Sequence, residues 1–260
     1  MDPTPVDNRR RPGYEYRHQI EIDEGRVNTN RRVPLRGRCE FEFQIQTNFI
    51  LKPRDPGAGE TTLSSETISD PIFCCDHKYE LCPCSRLRMR EYWMTEAHIQ
   101  EIIHETRDLC RSTELSTADR DPRVIPVTVR IGVCTVQQDG EGLDAAVDRA
   151  ITVPNLMAMR VGGGLYKELG IALAMFVMKN MGRSRLEDVG LGLGLMRSCP
   201  ICERAPTLGA QLLTTVCGHT FHSHCIVGSL RKKNSCPVCN VPVYDENPYL
   251  KDLFQLMWLH

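Results

Sequence analysis

The sequence predicts an α+β fold: a small N-terminal α+β domain followed by a C-terminal finger organised around metal. Three observations carry this. Two stretches alternate apolar and polar residues with the period of a half-buried strand. Between them one stretch repeats apolar residues with the period of a helix. Near the C-terminus, cysteines and histidines recur at metal-ligand spacing. The 260 residues suit one or two domains.

The elements follow in chain order. Residues 1–38 are rich in Arg, Asp, Asn and Pro and read as a flexible tail. Arg9, Arg10 and Arg11 are weak evidence of a nuclear import signal, and a solvated tail is the preferred reading. The domain spans 39–160. It opens with Phe41, Phe43 and Ile45 alternating with Glu42, Gln44 and Gln46. The turn-rich stretch Pro53–Asp70 reads as a loop. Thr95 reads as the N-cap of a helix with Ile99, Ile102, Ile103, Leu109 and Cys110 on one stripe. After Pro126, Val127, Val129, Ile131 and Val133 mark a second strand. Gly142–Ile151 reads as a short helix with Leu143, Ala146 and Val147 on one side. The pattern leaves the topology of these elements open. Residues 161–198 form a connection: Gly162, Gly163 and Gly164, an apolar helix near Leu169–Met178, then alternating Gly and Leu. The finger follows over 199–240, and 241–260 is an amphipathic end with Leu250, Leu253, Phe254 and Met257 on one face.

Composition narrows the function classes. The formal net charge is −1, so no global field favours nucleic acid or acidic partners. The N-terminus has no apolar signal-peptide core, and the longest apolar run falls short of the ~20 residues of a membrane span. The reading is a soluble cytoplasmic or nuclear protein with no membrane partner. In that compartment 13 cysteines point to metal rather than to disulfides.

The C-terminal ligand string is C-x2-C-x14-C-x-H-x2-H-x2-C-x10-C-x2-C, formed by Cys199, Cys202, Cys217, His219, His222, Cys225, Cys236 and Cys239. Thiolate with imidazole is a donor set zinc prefers, and eight donors complete two four-coordinate sites. Neither site keeps a position for water, so both ions are expected to be structural. A segment of this size has little core of its own, and metal supplies what the core lacks. His224 is surplus: it adjoins Cys225, an awkward place for a second ligand of one site.

This segment resembles the RING-H2 zinc-finger family of E3 ubiquitin ligases, as found in plant RING-H2 finger proteins. His219 with His222 matches the H2 variant, in which two histidines stand between two sets of cysteines, and Phe221, Ile226 and Pro237 are further matches. The resemblance implies a cross-brace: Cys199, Cys202, His222 and Cys225 on one zinc, Cys217, His219, Cys236 and Cys239 on the other. It implies a ligase with no nucleophile of its own. Such a finger binds a ubiquitin-charged E2 enzyme and orients the thioester toward a lysine of a protein substrate. Ile201, Pro237 and Val238 match the walls of the family's E2 groove. Two positions depart from the family: Ser229 where many members carry Trp, and Asn240 where active members carry a cation bridging E2 and ubiquitin. The departures predict weak or selective E2 contact.

Other features have plainer readings. Cys74, Cys75, His77, Cys82 and Cys84 cluster as donors of a conceivable third zinc site, but their spacing fits no common finger, and thiols also pack as small hydrophobes, which is the preferred reading. Gly162–Gly164 lacks the rest of a phosphate loop. The rival readings are a non-catalytic RING scaffold and, last, a nucleic-acid finger. The only basic residues near the finger's helix are Arg231, Lys232 and Lys233.

Overall fold

The computed structural model describes residues 10–22, 39–69, 81, 83–116, 123–156, 181–188 and 196–243. The chain divides into two compact units. One takes in 1–10, 16–48 and 65–133; the other takes in 11–15, 49–64 and 134–260.

A five-stranded sheet has the order β1-β2-β5-β3-β4. Its strands are β1 (Arg10–Arg11), β2 (Tyr14–Ile22), β3 (Cys39–Lys52), β4 (Thr61–Ser69) and β5 (Arg123–Val136). In β3 every second residue from Phe41 to Leu51 is buried, and in β5 Val127, Val129, Ile131 and Val133 are. Each such apolar side chain contributes about 1.5–3 kcal/mol on leaving water.

In the first unit, helices α1 (Pro83–Glu91) and α2 (Glu96–Ser116) pack on each other. Thr95 caps α2, its hydroxyl accepting from the His98 amide at 3.2 Å. The helix buries Ile99, Ile102, Ile103, Thr106, Cys110 and Thr113. Leu109 is 36% exposed and lies off that stripe. At about 100° per residue it sits about 80° around the helix from Ile99, while two threonines occupy the centre. The unit also buries a polar network. Arg88 donates to Glu66 and Glu91, each at 2.6 Å, and Tyr92 donates its hydroxyl proton to Glu66.

The structure differs from the sequence reading at further places. The stretch read as a tail contains β2, because Tyr14 and Tyr16 turn inward on alternate positions. The stretch read as a loop contains β4, which buries Ile68 and directs Glu66 to Arg88. The short helix is α3 (Leu143–Asp148) and buries Ala146, whereas Leu143 and Val147 face solvent. The apolar stretch 169–178, Gly162–Gly164, Cys74, Cys75, His77, Cys82 and the end at 250–260 lie outside the described residues. Among the described residues no helix is long and apolar enough to cross a membrane.

Candidate metal centre

Within the second unit a three-stranded sheet of order β6-β7-β8 frames the candidate site. Its strands are β6 (Gly182–Arg185), β7 (Gln211–Thr214) and β8 (Thr220–His222), and both pairings are antiparallel. β6 precedes the first ligand in sequence, inside the stretch read as a connection. Helix α4 (Ser223–Leu230) follows β8 directly and buries Ile226, Val227 and Leu230. β8 therefore delivers His222, and the first turn of α4 delivers Cys225.

The outer ligands sit on two knuckles with one backbone plan. In the first, the Glu203 amide donates to the Cys199 carbonyl at 2.7 Å, and the Cys199 amide donates to Arg204 at 2.9 Å. In the second, the Asn240 amide donates to Cys236 and the Cys236 amide to Val241, both at 2.8 Å. Each knuckle closes on a left-handed residue, Glu203 at φ 61° and Asn240 at φ 58°. The CxxC spacing thus aims two sulfurs at one point, and the turn demands a left-handed residue just after the second cysteine. Asn accepts that backbone readily.

Two four-donor clusters result, interleaved along the chain: Cys199, Cys202, His222 and Cys225, then Cys217, His219, Cys236 and Cys239. In each, the four donor atoms lie within 4.8 Å of one another. In the first cluster Cys202 Sγ is 3.3 Å from His222 Nδ1. In the second, Cys217 Sγ is 3.3 Å from His219 Nδ1 and 3.5 Å from Cys239 Sγ. A zinc ion bound at the usual distances needs donor-to-donor edges of about 3.5–3.8 Å. The donor set and its size fit one zinc in each cluster.

Crowding the thiols redistributes their protons. Hydrogen bonding from Cys225 draws the Cys199 thiol down to about 2, against the opposing effect of burial. The same bond pushes Cys225 up. For Cys217, burial pushes upward, but bonds from Thr215, His219 and Cys239 outweigh it and bring the thiol to about 6. Each cluster already favours thiolate at one corner, the form that binds metal. His224 stands outside both clusters, stacked on His222 with ring centroids 5.3 Å apart. Burial lowers it to about 4.

The residues expected to line an E2 groove are open to solvent. Ile201, in the first knuckle, is 38% exposed, and Val238, in the second, is 46% exposed. Pro237 and Asn240 are exposed as well. Ser229 is half-buried on α4.

The fold and the clusters define a chain that carries a RING-H2 zinc finger, with two Cys/His clusters able to hold two zinc ions. Residues 197–240 match the family model described as Ring finger domain. Over 61 residues the chain is 39% identical to "E3 ubiquitin-protein ligase RNF126" of Mus musculus, covering 24% of this chain and 18% of that protein. Over 41 residues it is 46% identical to "Probable E3 ubiquitin-protein ligase RHG1A" of Arabidopsis thaliana, covering 16% and 6%. Among solved structures, the RING-H2 domain of Arabidopsis RMR1 matches at 25% identity and a TM-score of 0.25, over 28% of this chain and 91% of that one. The chain thus covers less than a fifth of the length of these two curated relatives, and the likeness is confined to the finger and its borders.

Proposed function

We propose that the chain is a RING-type E3 ubiquitin ligase, in which Cys199, Cys202, Cys217, His219, His222, Cys225, Cys236 and Cys239 hold two zinc ions. The zinc supplies no reaction chemistry; it fixes the two knuckles relative to α4. Ile201, Pro237 and Val238 receive a ubiquitin-charged E2, and Asn240 hydrogen-bonds at the rim. The finger then acts by holding a mobile thioester in a geometry open to attack by a substrate lysine. One observation carries the reading. Apolar side chains stay in solvent on both knuckles of a domain whose named relatives are E3 ubiquitin-protein ligases. In a module this small, an exposed Ile and Val serve a partner better than a core.

The test is discharge of ubiquitin from a panel of E2 enzymes. The chain is expected to accelerate discharge for at least one of them. Ile201→Ala is expected to abolish that acceleration while zinc content stays at two per chain. No acceleration with any E2 would sink the reading. A second reading, a RING scaffold that binds partners without promoting transfer, is favoured by Ser229 and Asn240, which replace an aromatic anchor and a cation.

A further inference from the structure

The first zinc loop has neighbours within the second unit that are not part of the finger. Arg231, the residue after α4, donates from Nη1 to the Pro154 carbonyl at 2.6 Å and from Nη2 to the Leu156 carbonyl. Arg204, just beyond the first knuckle, pairs with Asp148 at the end of α3. Beside the Arg204–Asp148 clamp, and lined by both of its residues, lies a cavity of about 330 Å³. Ala145, Asp148 and Arg149 line it together with Cys202, His222 and Cys225. Three of the four donors of the first cluster therefore share it with the segment 145–149. None of the second cluster's donors lines that cavity.

The contact rests on a buried foundation. Arg149 donates to the carbonyls of Gly13 at 3.0 Å and Val136 at 2.6 Å, and to both oxygens of Glu141. Tyr14 donates its hydroxyl to the Arg149 carbonyl at 2.7 Å. Gly209, two residues before β7, comes so close to this foundation that a Cβ there would lie 3.0 Å from the Pro12 carbonyl and 3.3 Å from Gly13 Cα. Its φ of +83° also suits glycine. Ile201, Pro237, Val238 and Asn240 take no part in any of these bonds.

We infer that residues 136–156 are a positioning element for the finger, with Arg204 and Arg231 as the positioning residues. They hold the first zinc loop against α3 and the turn at 153–155, keep the donors of the first metal site more deeply buried than those of the second, and leave the groove residues free. The consequence for transfer rests on the ligase reading. A finger held this way presents its charged E2 in one direction, so ubiquitin reaches a restricted set of lysines. The consequence for metal does not depend on that reading. A chelator reaches a shielded ion only through local opening, which the clamps suppress.

The experiment uses the full chain and the double variant Arg204→Ala/Arg231→Ala, in which both removed groups are exposed. Zinc release to an excess of a chromogenic chelator is followed over time. The parent is expected to release its two ions in two phases, the slow one from the first cluster. The variant is expected to speed the slow phase about fivefold, the scale of weak exposed ion pairs, with the fast phase unchanged. Asp148→Ala, which leaves the finger's own sequence intact, is expected to shift the slow phase the same way, and Arg204→Lys/Arg231→Lys to restore much of it. A single phase in the parent, or equal acceleration of both phases in the variant, overturns the inference. Where the parent discharges a charged E2, discharge onto free lysine is expected to be unchanged in the variant. The set of self-modified lysines is expected to widen; an unchanged set would overturn the directional consequence. Failure of the parent to discharge any E2 removes the ligase reading alone, and zinc release still decides the positioning.

Discussion

The two zinc knuckles share a backbone and differ in what surrounds them. Cys199 and Cys236 are both buried, and both turns close through the same pair of amide bonds. Yet the first cluster shares a cavity with α3 and Arg149, while the second ends on the exposed Cys239. The knuckle itself is thus a local matter of four residues and a metal. Its protection is a tertiary matter, set by residues far away in sequence. Two sites with the same donor count are expected to differ in how readily they lose their ion.

The sharpest way to break this comparison is to remove one donor from each site. Structural zinc is worth about 10–16 kcal/mol in comparable peptides. Cys239→Ser is expected to leave one zinc per chain with the first cluster folded. Cys199→Ser, which also places a hydroxyl where the thiol is fully buried, is expected to unfold the finger. Metal analysis and amide exchange across β7 and α4 read the difference. Equal damage from both would show that the surroundings do not matter.

Next in size is the foundation. Arg149→Ala leaves Glu141 buried without its cation and is expected to cost about 3–5 kcal/mol in urea unfolding. Arg204→Ala, an exposed pair, is expected to cost less than about 1 kcal/mol. The buried ion pair of Arg149 and Glu141 also carries a pH signature. Burial pushes the Glu141 carboxyl up, but hydrogen bonds from Arg149 outweigh it and hold it below its ordinary value of 4.5. Its stabilisation is then complete above pH 4.5 and lost as pH falls through the lowered native value. The stability gap between the parent and Glu141→Gln is expected to narrow over that acidic window. A constant gap would remove the ion pair from the account. The smallest effect lies in the turns. Glu203→Gly is expected to stabilise the first knuckle by about 1 kcal/mol, since its left-handed backbone strains a residue that carries a Cβ. Asn240→Gly is expected to change the second far less.

The same divide between local and tertiary causes decides what the sequence revealed. The eight donors were legible because CxxC turns and the His219/His222 spacing are local rules. β3, β5 and the Thr95 cap were legible for the same reason, since burial alternates along β3 and through the middle of β5, from Val127 to Val133. β2 was hidden by composition: Tyr14, Tyr16, Ile20 and Ile22 alternate with Glu15, Arg17, Gln19 and Glu21, but the Arg-, Asp- and Asn-rich stretch around them reads as tail, and β4 was hidden because Thr and Ser read as loop. β6 carries no apolar residue at all; Arg185 is fully buried there beside the Tyr14 ring, 5.0 Å from its centroid. No periodicity announces an arginine that becomes core. Leu109, Leu143 and Val147 erred the other way: they are apolar residues that the fold leaves outside. The clamps of Arg204 and Arg231 carry no sequence signal, because their partners are a distant carboxylate and two backbone carbonyls.

The position of β6 has a practical consequence for anyone excising the finger. Gly182 to Arg185 pair with Thr214 to Gln211, so a fragment cut at the first cysteine would strip one edge of β7 of its hydrogen-bonding neighbour. Leu212 and Leu213 lie on that strand, and a short apolar ribbon with a bare edge invites pairing with other molecules. Fragments beginning near residue 181 would keep that edge covered.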